Sequence, residues 1–237
     1  MKVLITGAGG FVGGVVADVF ARNGVEVLAS YRRTQPEHLC VYRKVTLVEL
    51  DLLQCDEVPE PFDCLIHCAA DQPETTVEAD MLHSNIEGSR KLFSATIEAG
   101  IQKIIYLSSR AVYGTVQVKV MDEHTPLIEP DAYGQSKYQP EELLRELVSR
   151  TPNLSGVTIR LPTMVGRGAH DNFLADLFQK ILDDQPIQMR NPESLFNNIV
   201  LAKDLAGFLL KLSHSMPTKY TMTNIGSMEP LPLREVI

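Results

Sequence analysis

The sequence predicts an α/β fold: a doubly wound, parallel sheet followed by a small C-terminal lobe. Three observations carry that prediction. Short apolar runs alternate with amphipathic stretches through the first two-thirds of the 237 residues, as expected of strands covered on both faces by crossover helices. The run Thr6-Gly-Ala-Gly-Gly-Phe-Val-Gly13 stands where a first strand would turn into a first helix. Two amphipathic stretches are closed by glycine, at Gly24 and Gly100, where a helix end favours a residue that tolerates positive φ.

In chain order, the strand candidates are residues 2–6, 25–30, 46–50, 64–68, 104–107 and 157–161, all short and nearly all apolar. Helices are expected over 13–22, closed by Asn23-Gly24, over 85–99, closed by Gly100, and over 133–150. Right-handed crossovers between them give a Rossmann-type sheet. Pro140 falls inside the third helix and removes the bond to the Ser136 carbonyl. That helix therefore kinks after Lys137 or restarts with Pro140 in its first turn. Beyond Leu161 the pattern loosens into helices over 172–183 and 202–212 and a short strand over 220–225, with prolines between. The chain so divides into a dinucleotide-binding part, 1–165, and a substrate-binding lobe, 166–237. Its last residues, Pro232-Leu-Arg-Glu-Val-Ile237, read as a helix just beginning. The expectation is a truncated sequence, or a lobe closed by a partner subunit.

Composition is that of an ordinary globular protein, 44% hydrophobic and 22% charged. A net charge of −8 disfavours a nucleic-acid or anionic-membrane surface, which needs clustered positive charge. No apolar stretch approaches a membrane span, and Thr6-Gly7 comes too early for a signal-peptide core, so a cytoplasmic home is expected. Of the four cysteines, Cys64 and Cys68 would share one strand face with His67 on the other, while Cys40 and Cys55 are scattered. No pair has zinc-ligand spacing, so no metal site is expected, only thiols in a reducing compartment.

The glycine turn has a chemical reading. Gly7 permits the tight turn, Gly10 lets the backbone approach a pyrophosphate, and Gly13 lets the helix pack closely on the strand. The helix start, through Phe11 and Val12, then offers free N–H groups and a positive dipole end to phosphate. At the end of the second strand, Ser30-Tyr31-Arg32-Arg33 has no acid to hold ribose hydroxyls. Two guanidiniums there suit the 2′-phosphate of NADP, so NADP is expected over NAD. Tyr133 and Lys137 are one helical turn apart and share a face. Bringing a phenol of pKa about 10 near 7 needs roughly 4 kcal/mol, which a cation about 4 Å away supplies at an effective dielectric near 20. Lys137 is also long enough to reach a ribose hydroxyl, and Ser109 would hydrogen-bond the reacting oxygen beside the Tyr133 hydroxyl.

With these motifs in this order, the chain resembles the extended short-chain dehydrogenase/reductase family, also described as the NAD-dependent epimerase/dehydratase family. The resemblance implies a catalytic trio of Ser109, Tyr133 and Lys137. It also implies contacts to adenine by Asp51-Leu52, a run along the cofactor at His67-Cys68-Ala69-Ala70, and Pro162-Thr163 near the nicotinamide carboxamide. Asn85-Ile-Glu-Gly88, Asp122-Glu-His-Thr-Pro126 and Arg160-Leu-Pro-Thr-Met-Val-Gly166 fall where the family has similar runs. Two departures narrow the field. Arg110-Ala111 stand where the family's 4,6-dehydratases carry an Asp-Glu pair, which disfavours dehydration. Asn197 stands where many nucleotide-sugar enzymes have an arginine for the substrate diphosphate, with Arg167 or Arg190 as substitutes.

Other residues in the sequence carry no functional pattern. His67, His83, His124 and His170 have no matched acid or ligand spacing and are read as surface or core residues. Phe173, Leu174, Leu177, Phe178 and Ile181 form a helical stripe read as core. Leu143, Leu144, Leu147 and Val148 are core or a helix–helix homodimer face. The leading expectation is an NAD(P)-dependent enzyme moving hydride at a secondary alcohol or ketone carbon of a sugar or sugar nucleotide. Two alternatives stay open: an NADPH-dependent carbonyl reductase of a non-nucleotide substrate, and a non-catalytic NADP sensor.

Overall fold

Branched apolar side chains in short runs make the strands, and their period of two feeds both faces of one sheet. The computed structural model describes residues 1–73, 75–169, 173–189 and 191–236, with the backbone alone at 173, 175 and 236. The strands are β1 (Lys2–Thr6), β2 (Glu26–Tyr31), β3 (Val45–Glu49), β4 (Cys64–His67), β5 (Lys103–Ser109), β6 (Ser155–Leu161), β7 (Thr163–Val165), β8 (Leu195–Phe196), β9 (Ile199–Leu201), β10 (Thr221–Asn224) and β11 (Leu231–Pro232). The helices are α1 (Phe11–Arg22), α2 (Glu78–Glu98), α3 (Ala132–Arg150), α4 (Phe173–Leu182), α5 (Ala202–His214) and α6 (Leu233–Val236).

Seven strands form the central sheet in the order β10-β6-β5-β4-β1-β2-β3, and every pairing in it is parallel. The chain winds outward from β1 to β3, then returns to β4 on the other side of β1. The strand order therefore reverses between β1 and β4, and a crevice opens at their carboxyl ends.

Alternation along each strand builds two cores. Val3, Ile5, Ile105 and Leu107 face a cluster with Val16 and Phe20 of α1 and Leu205 and Leu209 of α5. Leu4, Leu65, Ile104 and Tyr106 face the opposite cluster with Leu92 and Phe93 of α2 and Leu144 of α3. Leu143, Leu147 and Val148 pack, half-buried, against that second cluster, in which Leu144 is fully buried. Cys64 and Cys68 lie on the first side, while His67 meets Phe93 and Tyr106 on the second.

Several expectations shift in detail. α2 begins at Glu78, seven residues before the expected start at Asn85, and Glu78 and Asp80 supply acids to its first turn. α3 runs unbroken through a buried Pro140, and Asp131 caps it by accepting from the Gly134 N–H at 2.7 Å. The α4 stripe divides: Leu174 and Leu177 are buried, but Phe178 is 65% and Ile181 49% exposed. The expectation that all of them are core fails for those two, because α4 presents only one edge to the rest of the chain. His170, Asn172 and Arg190, and the side chain of Phe173, lie outside the described residues. From the segment 166–237, β10 extends the central sheet beside β6 and α5 packs on α1. The short β7–β9 and β8–β11 pairs make two further small sheets. Among the described residues, no helix is long and apolar enough to cross a membrane.

Candidate active site

The crevice is a cleft of about 860 Å³, and every expected site residue except Arg33 lines it. Its floor is the glycine turn. Gly7 has φ +71°, and a Cβ there would stand 2.8 Å from the Ala69 Cα. A Cβ on Gly13 would collide with the Gly7 carbonyl oxygen. Gly10 differs: a Cβ would meet only that same oxygen, at 3.4 Å, with open space beyond. A side chain at 10 would fill the room the cleft leaves above the start of α1. That start has no side-chain cap, and Phe11 and Val12 line the cleft beside it. This cradle fits the pyrophosphate of a dinucleotide.

The two sides of the cleft come from β2 and β4. Ser30, nearly fully buried, fixes the turn through its carbonyl, which accepts from the Ala8 N–H at 2.8 Å. Arg32 enters the cleft and pairs with Asp71, Nη2 to Oδ1 at 2.5 Å. Arg33 is exposed and does not line the cleft, a correction to its place in the expected site. Successive side chains at the end of an extended run point to opposite sides, which is why the basic pair divides. Asp51 caps a tight helical turn by accepting from the Leu53 N–H at 3.1 Å, which presents Leu52 to the cleft.

At the end of β4 a chain of hydrogen bonds sets the backbone of Cys68, Ala69 and Ala70. Thr6 Oγ1 accepts from the N–H groups of Cys68 and Ala69, at 3.1 and 3.2 Å. Its own proton therefore goes to His67 Nδ1, at 2.7 Å. His67 must then carry its proton on Nε2, which donates to Ser89 Oγ at 2.9 Å, and Ser89 donates to the Asn85 carbonyl at 2.6 Å. Burial, aided by the Lys137 charge, pushes the His67 pKa down to about 3, so the ring is neutral. Asn85 also lines the cleft, but its side-chain amide is engaged by the protein. It accepts from the Asp71 N–H at 2.7 Å and donates to the Asp71 carbonyl and Ser136 Oγ, both at 3.0 Å.

Ser109 ends β5, and its Oγ accepts from the Ala111 N–H at 3.1 Å. Tyr133 lies in the first turn of α3, and its hydroxyl accepts from Gln72 Nε2 at 3.4 Å. Lys137, one turn on, is 3% exposed and holds its ammonium 4.6 Å from the Tyr106 ring centroid. Burial pulls the Lys137 pKa down to about 8 against the opposing pull of Cys68 and Glu141. Pro162 and Thr163 follow β6 onto the same wall.

Behind this wall lies a buried polar network. Glu141 accepts from Ser108 Oγ and from Arg160, Nη2 to Oε2 at 2.6 Å. The Arg160 guanidinium stands 4.7 Å from the Tyr113 ring centroid. Asp71, Gln72, Ser84, Ser89, Ser136 and Glu141 were not part of the expected site, and Thr6 and His67 stood in expected runs without the hydrogen-bonding role they have here. Asp71 and Gln72 directly follow the Ala69-Ala70 run, a proximity that could have flagged them; the others are brought in by tertiary contact.

The model of the NAD dependent epimerase/dehydratase family matches residues 3–226. The chain is 30% identical over 172 residues to the N-acetyl-alpha-D-glucosaminyl-diphospho-ditrans,octacis-undecaprenol 4-epimerase of Escherichia coli O157:H7, covering 69% of this chain and 49% of that protein. It is 29% identical over 162 residues to a UDP-glucose 4-epimerase of Bacillus subtilis (strain 168), covering 62% and 48%. The chain thus spans about half the length of these curated relatives. Among solved structures, it is similar to the UDP-N-acetylglucosamine 4-epimerase from Methanobrevibacter ruminantium M1 in complex with UDP-N-acetylmuramic acid. The TM-score is 0.84 at 20% identity, over 99% of this chain and 79% of that one. MoeE5 in complex with UDP-glucose and NAD gives 0.82 at 24%, over 100% and 79%. At these identities the structures speak for the fold, and the match to the family model speaks for kinship: the chain belongs to the NAD dependent epimerase/dehydratase family.

Proposed function

We propose that this chain binds a nicotinamide dinucleotide in the cleft and supports hydride transfer at a secondary alcohol or ketone carbon of a sugar or sugar nucleotide. One observation carries the reading: Ser109, Tyr133 and Lys137 line the same cleft as an uncapped glycine-turn helix start, at the point where the strand order reverses. Gly7, Gly10 and Gly13 would hold the pyrophosphate, Asp51 and Leu52 the adenine side, and Pro162 the carboxamide side. The bound cofactor supplies the hydride acceptor and donor. Tyr133 moves the proton of the substrate hydroxyl, Ser109 orients that oxygen, and the Lys137 charge eases ionisation of the phenol. The two curated relatives named above are 4-epimerases of diphosphate-linked sugars, which supports the substrate class. The lack of an acid at the end of β2, with Arg33 exposed beside the cleft, supports NADP over NAD. The family resemblance adds a homodimer to the reading, which sedimentation of the purified chain tests.

Tyr133→Phe is the discriminating variant. It should bind NADPH within about threefold of the wild type while losing at least a hundredfold in turnover on UDP-sugars. Turnover that survives the substitution overturns the assignment of Tyr133. A second reading, carbonyl reduction of a non-nucleotide substrate, is favoured by Asn197, an exposed amide where a diphosphate would need a cation. An epimerase leaves the redox state of its cofactor unchanged after many turnovers, whereas a reductase consumes NADPH in proportion to product.

A further inference from the structure

We propose that Asp71 sets the cofactor selectivity of this cleft. It supplies, from the end of β4, the carboxylate that the end of β2 lacks, and by pairing with Arg32 it withholds that guanidinium from a 2′-phosphate. The inference rests on the dinucleotide reading above and deepens it. In the sheet, β2 and β4 flank β1, so a bond between residues 32 and 71 spans the mouth of the glycine turn. Arg32 Nη2 lies 2.5 Å from Asp71 Oδ1.

The carboxylate cannot readily swing aside. Ser84 Oγ donates to its second oxygen at 2.7 Å, and Asn85 holds the Asp71 backbone by both its N–H and its carbonyl. Side-chain exposure is 13% for Asp71 and 32% for Arg32, so the pair is screened less than one in open solvent. Burial alone would raise the Asp71 pKa. The Ser84 bond and the charges of Arg32 and Arg33 outweigh it and hold the carboxyl below its ordinary range. An incoming 2′-phosphate must displace this carboxylate from Arg32 and approach its negative charge. A 2′-hydroxyl meets neither obstacle, because it donates to a carboxylate. Arg33, exposed beside the cleft, is then the cation left to the phosphate.

Fluorescence titration of the full chain with NADPH and with NADH tests this, with thermal melting to verify folding. Asp71→Asn should tighten NADPH by roughly tenfold and change NADH by less than about threefold. Ser84→Ala, which removes one tether of the carboxylate, should shift the ratio the same way by about twofold. An NADPH-to-NADH affinity ratio that stays constant or falls in Asp71→Asn overturns the inference. So does a gain that persists when Arg32→Ala is added. If the wild type binds NADH more tightly but the ratio still rises in Asp71→Asn, the NADP preference fails and the role of Asp71 stands. If neither nucleotide binds folded protein, both readings fail.

Discussion

Lys137 shows what a buried cation costs its host. A buried ammonium is disfavoured, and the fall of its pKa from 10.5 to about 8 measures that burden. Below pH 8 the lysine is charged in the folded and unfolded chains alike, and the native state bears the full burial cost. Between about 8 and 10.5 the native lysine loses its proton first and the cost is relieved. Lys137→Met should therefore stabilise the protein at pH 7, by at most about 3 kcal/mol, while abolishing turnover. The stability gain should close as pH approaches 10.5. Urea unfolding of both proteins at pH 7 and pH 10 checks this, and a gain that does not shrink with pH refutes the burial argument. The Tyr133–Lys137 spacing was legible in the sequence because both residues belong to one helix. The Arg32–Asp71 bond was not, because its partners lie on loops that only the sheet order brings together. Arg33 misled for a related reason: adjacency in sequence does not give two side chains the same side.

At the scale of elements, the wall behind the cleft is joined by the Glu141–Arg160 pair, which ties α3 to β6. Both side chains are almost wholly buried, at 1% and 4% exposure. Removing one partner strands a charge, so Arg160→Met should lose about 3–5 kcal/mol of stability. The double substitution Glu141→Leu with Arg160→Met should recover most of that loss, as read from chemical denaturation midpoints. If the two single losses simply add, the pair is not coupled. The strands of the central sheet were legible to within a residue or two, because short, nearly continuous apolar runs between amphipathic stretches are distinctive. The start of α2 was not: Asn85 has the chemistry of an N-cap, yet its amide is engaged at Asp71, and the helix begins at Glu78 after an uncapped Val77. β7, β8, β9 and β11 are two or three residues each, too short for any periodicity to register.

For the whole molecule, buried titratable groups set the pH range of stability. The native His67 pKa is about 3 against an ordinary 6.5, so below 6.5 the unfolded chain takes up a proton that the folded one refuses. Stability should fall with a slope approaching 1.4 kcal/mol per pH unit between about pH 6 and 4.5, and His67→Gln should flatten that slope whatever its absolute stability. Cys64 and Cys68, pushed by burial from 9.0 up to about 12, ionise first in the unfolded chain and so erode stability above about pH 9. The parallel architecture and the cleft were legible at this scale, since the strand–helix alternation specifies both. The return of the chain to the sheet through β10 has a consequence for synthesis. β6 is complete at Leu161, but its neighbour begins only at Thr221. At about 5–20 residues per second, translation leaves the outer rim of β6 bare for roughly 3–12 s, a window in which nascent chains on one messenger can stick to each other.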